Sequence, residues 1–228
     1  MMSDFSQILA AAPVTLRLTG ACLGVGAVLG VVLVTARRSG YLVVRSAARL
    51  VVDVLRGIPP LVFLFIVFFG IGSGAAKLSP FQAAVIGLGL ITAAHMSEIY
   101  RGSLLAVTKG QFEASHALGL TRTTMYLRVI GPQAVRVAIP GMVTWAISLL
   151  KDSALVSTIG VAEIMLVANQ NARASGNSLT PFIIAAFIYI ALGTPLAFLS
   201  RFLAAAAASL WPRRRAPSAT GTDLEISP

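Results

Sequence analysis

The stretch of residues 113–132, EASHALGLTRTTMYLRVIGP, decides how this chain folds, because it is polar and basic within an otherwise apolar sequence. Apolar residues at helical spacing precede Gly119, a residue type that ends helices by adopting a left-handed conformation without steric cost. Thr121 is suited to cap a second helix, and Pro132 predicts a break after it. The pattern predicts a helix, a glycine turn and a helix, with Glu113 at the head. A knob of this kind between membrane spans favours docking onto another protein over holding a ligand.

The composition is that of a membrane protein. The chain has 228 residues, of which 57% are hydrophobic and 11% charged, whereas soluble domains are about 25% charged. No GxxxxGK[ST] motif is present, so any ATP that drives the protein must be bound by another chain. Cys22 is the one cysteine, which excludes an intrachain disulfide.

Hydropathy predicts an all-α integral membrane protein with about five transmembrane helices. The predicted spans cover about residues 14–35, 50–70, 81–105, 139–150 and 181–203. We expect the second span to be broken near residues 57–60, where glycine and two prolines lie together. The fourth is interrupted at residues 151–153 and continues as an amphipathic segment, and residues 168–180 form a polar connection.

The basic residues predict the orientation of the spans. Lys and Arg concentrate in the loops after the first and third spans and in the C-terminal tail, whereas the alternate loops carry only Lys77 and Arg173. By the positive-inside rule the N-terminus lies outside and the C-terminus is cytoplasmic, and so is the knob. This bias accounts for the net charge of +10. Because aromatic residues do not interleave with a basic face, nucleic-acid binding has little support.

Several ordered blocks resemble one family. Glu113-Ala114-Ser115, Gly119, Ile130 and Pro132 resemble the EAA loop of permease subunits of ATP-binding-cassette importers, although Ser115 replaces an alanine and the last gap is one residue short. LRGIPPL (residues 55–61), SEIYRG (97–102) and LLKDSAL (149–155) are similar to the FRGTPLL, AEIVRGG and LLKDTSL blocks of the polar amino acid, or histidine/glutamine-type, branch. The resemblance extends from about residue 13 to about residue 201.

The resemblance implies a type I importer and its organisation. Residues 13–205 would be the importer's transmembrane domain, between an external segment (1–12) and a disordered cytoplasmic tail (206–228). The implied partners are cytoplasmic ATPase subunits, a second permease subunit, an extracytoplasmic solute-binding protein and the lipid of the bacterial inner membrane. No cofactor is expected on this chain, since ATP and magnesium would be on the ATPase. The residues implied in ATPase docking are Glu113, Ala114, Ser115, Gly119, Leu120, Arg122, Ile130 and Pro132.

Charged residues within the spans are candidates for the substrate path, because charge at bilayer depth is costly. Glu98 is one, and Arg101 is spaced to pair with it on the same helix face, as a structural anchor if both lie near the cytoplasmic end. His95, on the same helix, is either a hydrogen-bonding group between helices or a ligand contact.

A second group of candidates stands at the interruption of the fourth span. Lys151 and Asp152, followed by Ser153, offer the opposite charges that an amino acid's carboxylate and ammonium groups require. Alternatively, the two charges form an internal ion pair that braces the helix break.

No catalytic constellation is present, so we expect a transport subunit and not an enzyme. The sequence lacks G-x-S-x-G and H-E-x-x-H, and no His, Cys or carboxylate set has the spacing of a metal site. The function implied by the resemblance is ATP-driven amino acid import. The alternatives are import of a different small solute, such as methionine, an opine or a compatible solute, and a membrane scaffold without a transport role.

Overall fold

The computed structural model describes residues 2–72, 77–176 and 179–209, and within them every regular element is a helix. The α-helices are α1 (Met2–Ala10), α2 (Ala12–Arg37), α3 (Leu42–Gly57), α4 (Pro60–Phe65), α5 (Pro80–Ala106), α6 (Lys109–Ala117), α7 (Arg122–Met125), α8 (Gly131–Asp152), α9 (Ile164–Ser175) and α10 (Thr180–Ser209). Two π-helical segments, Ile66–Gly72 and Tyr126–Ile130, and one 3₁₀ helix, Ser153–Ile159, connect or extend them.

The helices supply four candidate membrane spans among the described residues, or five if the bent pair is counted as one span, which agrees with the prediction of about five. Four are continuous: Ser3–Arg37, Pro80–Ala106, Arg122–Ile159 and Thr180–Ala206. The fifth is a bent pair, in which α3 and the segment Pro60–Gly72 meet at 105°. The break falls at the predicted glycine and prolines.

Helices α2 and α5 run parallel and approach closely through glycines of α2. Gly26 faces Thr92, and Gly30 faces Met96 so closely that a Cβ on Gly30 would lie 2.6 Å from the Met96 Cβ. In a bilayer, where burial of apolar surface drives helices together only weakly, small residues of this kind permit the close packing that holds them.

Helix α8 is antiparallel to both α5 and α10. Four contacts show this: Gly141 with Ile99, Trp145 with His95, Thr144 with Ser200, and Leu150 with Gly193. The C-terminal ends of α2, α5 and α10 therefore lie on the same side as α6, α7 and the start of α8. That this side is cytoplasmic remains a prediction from the basic residues.

The helix that contains the fourth span is longer than the predicted span. It is continuous from Arg122 to Asp152, and the predicted break at Pro132 is wrong. Pro132 lies in the first turn of α8, directly after the π-helical segment Tyr126–Ile130. The wider π turn accommodates the proline, so the helix continues through it.

The chain after the fourth span is also more helical than predicted. The 3₁₀ helix is followed by Gly160, where φ is +89°. Residues 168–175 of the stretch expected to be a polar connection lie in the helix α9, which is followed by Gly176 with φ +66°. Residues 1–12, the predicted external segment, include α1, whose Ile8 packs in an apolar cluster with residues of α9 and α10. Most of the predicted tail lies beyond residue 209 and so outside the described residues.

The contact between α2 and α5 predicts a difference between two glycines of α2. Gly30→Ala places a methyl group against the Met96 side chain and the Ser97 backbone, whereas the same change at Gly24 meets nothing within 4 Å. We expect Gly30→Ala to destabilise the protein by about 1–3 kcal/mol and Gly24→Ala to leave it unchanged. Thermal unfolding in detergent measures this, and equal midpoints would contradict the packing described.

The orientation predicts which cysteine variants react from outside the cell. Cys22 is buried, so labelling reports only the introduced thiol. We expect Ala174→Cys, at the exposed end of α9, to react with a membrane-impermeant maleimide in intact cells. Lys109→Cys, on the knob, should react only after permeabilisation. Labelling of both variants in intact cells, or of neither, would contradict the orientation.

Candidate functional site

The knob consists of α6, a glycine turn and α7. Gly119 has φ +67°, and the Leu120 N–H donates to the Ser115 carbonyl at 3.1 Å across the turn. The Thr121 hydroxyl caps α7 by accepting from the Thr124 N–H at 3.3 Å. These features confirm the predicted helix, glycine turn and helix, since a positive φ of this size favours glycine.

The first helix of the knob begins earlier than expected. It starts at Lys109, so Glu113 lies in its middle and the prediction that this residue heads the helix is wrong. Glu113, Ala114 and Ala117 are exposed, and Leu118 is 76% exposed, so the apolar stripe predicted for this helix faces outward. One exposed stripe of the knob, formed by Ala114, Ala117 and Leu118, is therefore apolar, with Glu113 beside it; the exposed surface of α6 also carries Lys109, Gln111 and His116.

The inner face of the knob attaches it to the spans. Ser115 is buried, at the position where the EAA loop has an alanine. Its hydroxyl donates to the Gln111 carbonyl at 2.7 Å, so the added polar group has a hydrogen-bond partner. An apolar cluster joins the knob to the end of α5 and the start of α8, and it contains Leu104, Val107, Phe112, Leu120, Met125, Tyr126, Val129, Ile130 and Ala134. Of the predicted docking residues, Leu120 and Ile130 thus hold the knob in place, while Arg122 and Pro132 are exposed.

Glu98 lies in a cluster of arginines from three helices. Arg37 Nη1 is 2.7 Å from Glu98 Oε1, and Arg101 Nη2 is 2.8 Å from Glu98 Oε2. Arg56 Nη1 is 3.7 Å from Oε1. The predicted pairing with Arg101 is confirmed, and the other two contacts connect α2 and α3 to α5. This arrangement fits a structural anchor; a contact between Glu98 and solute stays a prediction.

His95 stacks on Trp145, so its ring joins α5 to α8. The ring centroids are 3.6 Å apart and the planes differ by 17°. Sequence reasoning expected a histidine that hydrogen-bonds or touches ligand, and it did not single out Trp145. The Trp145 Nε1 is buried without a hydrogen-bond partner among the described residues.

The charged pair at the end of α8 is not an ion pair. Within the described chain, neither Lys151 nor Asp152 takes part in a salt bridge; Lys151 is exposed and Asp152 partly buried. Ser153 is buried and donates to the Leu150 carbonyl at 2.7 Å, in the first turn of the 3₁₀ helix. Lys151 and Tyr189 line a cavity of about 260 Å³ between α8 and α10.

The path candidates therefore fall on two levels of the membrane. Trp145 lies opposite His95, and Lys151 is six residues further along α8, a rise of roughly 9 Å. Glu98 lies three residues from His95 in the opposite direction, roughly 4.5 Å away along the axis. Glu98 and Lys151 are thus separated by roughly 13–14 Å along the helix axes within a single chain.

Glu163, which sequence reasoning did not select, is a fully buried carboxylate at the corner before α9. Its Oε1 accepts from the Leu166 N–H at 2.9 Å as an N-cap, and its Oε2 accepts from the Tyr189 hydroxyl at 2.7 Å. Burial raises the pKa of the carboxyl, although these hydrogen bonds act in the opposite direction. The carboxyl therefore joins α9 to α10. The one signal in the sequence was its position before an apolar helical stripe.

Comparison with known proteins identifies the family. Residues 24–208 match the family model described as binding-protein-dependent transport system inner membrane component. The L-cystine transport system permease protein TcyB of Bacillus subtilis is 42% identical over 165 residues, covering 72% of this chain and 70% of the relative. The arginine ABC transporter permease protein ArtQ of Escherichia coli K12 is 32% identical, covering 84% of this chain and 90% of the relative.

Solved structures agree with the sequence relatives. A chain of an amino acid ABC transporter crystallised with histidines superposes with a TM-score of 0.84 at 28% identity, covering 90% of this chain and 96% of that one. A chain of the inward-facing MetNI methionine ABC transporter shares the fold, with a TM-score of 0.71 at 22% identity over 85% of this chain and 92% of that one. This chain therefore belongs to the family of binding-protein-dependent transport system inner membrane components, and it is a multi-pass permease subunit of the inner membrane.

Proposed function

We propose that this permease belongs to an ATP-driven importer of amino acids and works as a pair, with a second copy of itself or a similar chain. Two cytoplasmic ATPase subunits supply ATP and magnesium, and an external solute-binding protein delivers the solute. The observation that carries the proposal is the outward-facing apolar surface of the knob, on a chain whose relatives are amino acid permeases.

The exposed face of the knob can bind an ATPase without disturbing the packing of the permease core. Leu118 is 76% exposed next to the small side chains Ala114 and Ala117, so its burial against a partner would remove apolar area from water. The inner face is already occupied by the apolar cluster around Ile130. A partner can therefore bind the outer face while the knob stays attached to the spans.

The attachment also explains how movement of the knob reaches the membrane. The chain is helical without interruption from Arg122 to Asp152, through α7, the π segment and α8. At about 1.5 Å per residue this is a rod of roughly 45 Å. Displacement of its knob end by closing ATPases would tilt the rod, and the far end carries Lys151, Asp152 and the 3₁₀ helix.

The solute path would run along the face of α8 that carries Trp145 and Lys151. Lys151 and Asp152 form no salt bridge within the described chain, so both remain available to the opposite charges of an amino acid. By contrast, Glu98 is already neutralised by arginines and is better suited to hold the helices that border the path.

The particular solute is not determined by these features. The nopaline transport system permease protein NocM of Agrobacterium fabrum is 32% identical over 200 residues, so an opine, itself an amino acid derivative, is the second candidate. A scaffold without a transport role is disfavoured, because the match to transport permeases covers most of the chain.

The docking surface predicts that ATPase recruitment can be lost without unfolding. We expect Leu118→Glu to abolish most co-purification of the ATPase, since it places a charge on the apolar outer face but touches no core residue. Gly119→Val should act similarly, because a branched residue at φ +67° is strained by about 1–2 kcal/mol and shifts α7. Co-purification from detergent and solute-stimulated ATP hydrolysis measure both.

The matched control for the glycine change is Gly102→Val, on an exposed face of α5 near the knob, where a Cβ meets nothing within 4 Å. This variant should recruit the ATPase normally. If Leu118→Glu and Gly119→Val also retain full ATPase association and solute-stimulated hydrolysis, the knob is not the coupling element.

The charged pair predicts a loss of transport without a loss of assembly. We expect Asp152→Asn to reduce uptake into vesicles by about tenfold, as expected for one charged hydrogen bond to solute, with an unchanged amount of folded complex. Asp53→Asn, which removes an exposed carboxylate of α3, is the control and should transport normally. Full transport by a Lys151→Ala, Asp152→Ala double variant would exclude solute contact by the pair.

A further inference from the structure

A large groove lies next to the knob, at the level where α2 ends. It has a volume of about 1010 Å³, and its walls come from the end of α2, the turn into α3, and the knob. Its lining includes apolar residues on the membrane side and basic or aromatic residues on the knob side: Val31, Val34, Val44, Leu104 and Leu127, and Arg38, Phe112, His116, Arg122 and Tyr126.

The polar end of the groove is cationic and its charge is not neutralised. No carboxylate lines the groove. Among the residues that the structure describes, neither Arg38 nor Arg122 forms a salt bridge. Arg38 is held in position, since its Nη2 donates to the Tyr126 hydroxyl at 3.0 Å and its Cζ lies 5.8 Å from the Tyr126 ring centroid. A positioned but unneutralised guanidinium is a binding group for phosphate.

The apolar end of the groove adjoins a second cavity. This cleft of about 370 Å³ lies between α2, α5 and α8, and it shares Val31, Val34, Thr35 and Leu104 with the groove. The remaining lining is mostly apolar or small: Tyr100, Ser103, Gly131, Ala134, Val135, Ala138 and Met142. The two cavities are therefore adjacent and share one wall, with a cationic region beside the knob and an apolar region between membrane spans.

We propose that the groove and the cleft together bind one anionic phospholipid of the adjacent leaflet. Its phosphate would lie against Arg38 and Arg122, and an acyl chain would enter the cleft. Basic pockets between spans at the side rich in Lys and Arg are suited to anionic headgroups. An inorganic phosphate leaves the cleft empty, and a polar acidic peptide does not match its apolar lining, so an amphipathic anion fits both ends best. A lipid bound here would connect the end of α2 to the knob.

The test measures lipid binding to the full-length protein in detergent and requires neither the solute nor the ATPase. The probes are phosphatidylglycerol and phosphatidylcholine with identical acyl chains, titrated and counted by native mass spectrometry. We expect phosphatidylglycerol to bind wild type more tightly than phosphatidylcholine. Arg38→Gln should weaken phosphatidylglycerol binding about tenfold, the usual effect of losing one charged hydrogen bond.

Matched variants separate a specific site from general attraction. Arg49→Gln removes a positive charge from an exposed position of α3, outside the groove, and should bind within about twofold of wild type. Val135→Trp should fill the cleft and weaken binding of both lipids, while Val28→Trp, which is also at an exposed position but outside both cavities, should not.

Three outcomes would overturn the proposal. Equal effects of Arg38→Gln and Arg49→Gln would show that only overall charge matters. Equal affinity for the two lipids would show that the site does not recognise the charge of the headgroup. Full displacement of phosphatidylglycerol by millimolar inorganic phosphate would show that the site binds phosphate alone. If Arg38→Gln fails to fold, the effect of Val135→Trp on lipid binding and the competition with inorganic phosphate still test the proposed lipid site.

Discussion

The close approach of α2 and α5 is the constraint on which the rest of the structure depends. Lipid is as apolar as the helices, so burial of apolar side chains holds spans together far less than it holds a soluble core, and contact between backbones must replace it. Gly26 and Gly30 make that contact possible, because any side chain there would collide with Thr92 or Met96. With the two helices in register, the end of α2 brings Arg37 within 2.7 Å of Glu98. Arg38, the next residue, is directed to Tyr126 of the knob instead.

The charged residues within and beside the spans fall into two groups: those that salt bridges neutralise and those without a salt bridge. Glu98 has three guanidinium partners from three helices, so its charge is neutralised within the protein and its contacts connect α2, α3 and α5. Its role is architectural on this account. Lys151 and Asp152 have no such partners within the described chain, although they are adjacent in sequence. A charged pair that the fold does not use is the better candidate for contact with a charged solute.

The fourth span connects the two ends of the molecule. At one end, the knob is attached through Ile130 and its apolar cluster; at the other, the 3₁₀ helix leads to Gly160 and to the buried carboxyl of Glu163. The bond from Tyr189 to Glu163 fixes α9 to α10. A displacement of the knob would therefore be transmitted along a continuous helix to this connected corner, which suits the proposed coupling of ATPase closure to the membrane spans.

The sequence by itself determined the features that depend on neighbouring residues. The number of spans, the break before Pro60, the glycine turn at Gly119 and the pairing of Glu98 with Arg101 follow from hydropathy, backbone sterics and helical spacing, all of which act locally. Only the tertiary structure decided which helix faces meet: Arg37 on Glu98, Trp145 on His95, and Tyr189 on Glu163. It also placed Glu98 and Lys151 on separate levels and turned the stripe of α6 outward. These outcomes depend on the relative rotation and depth of packed helices, which the period of a single helix does not contain.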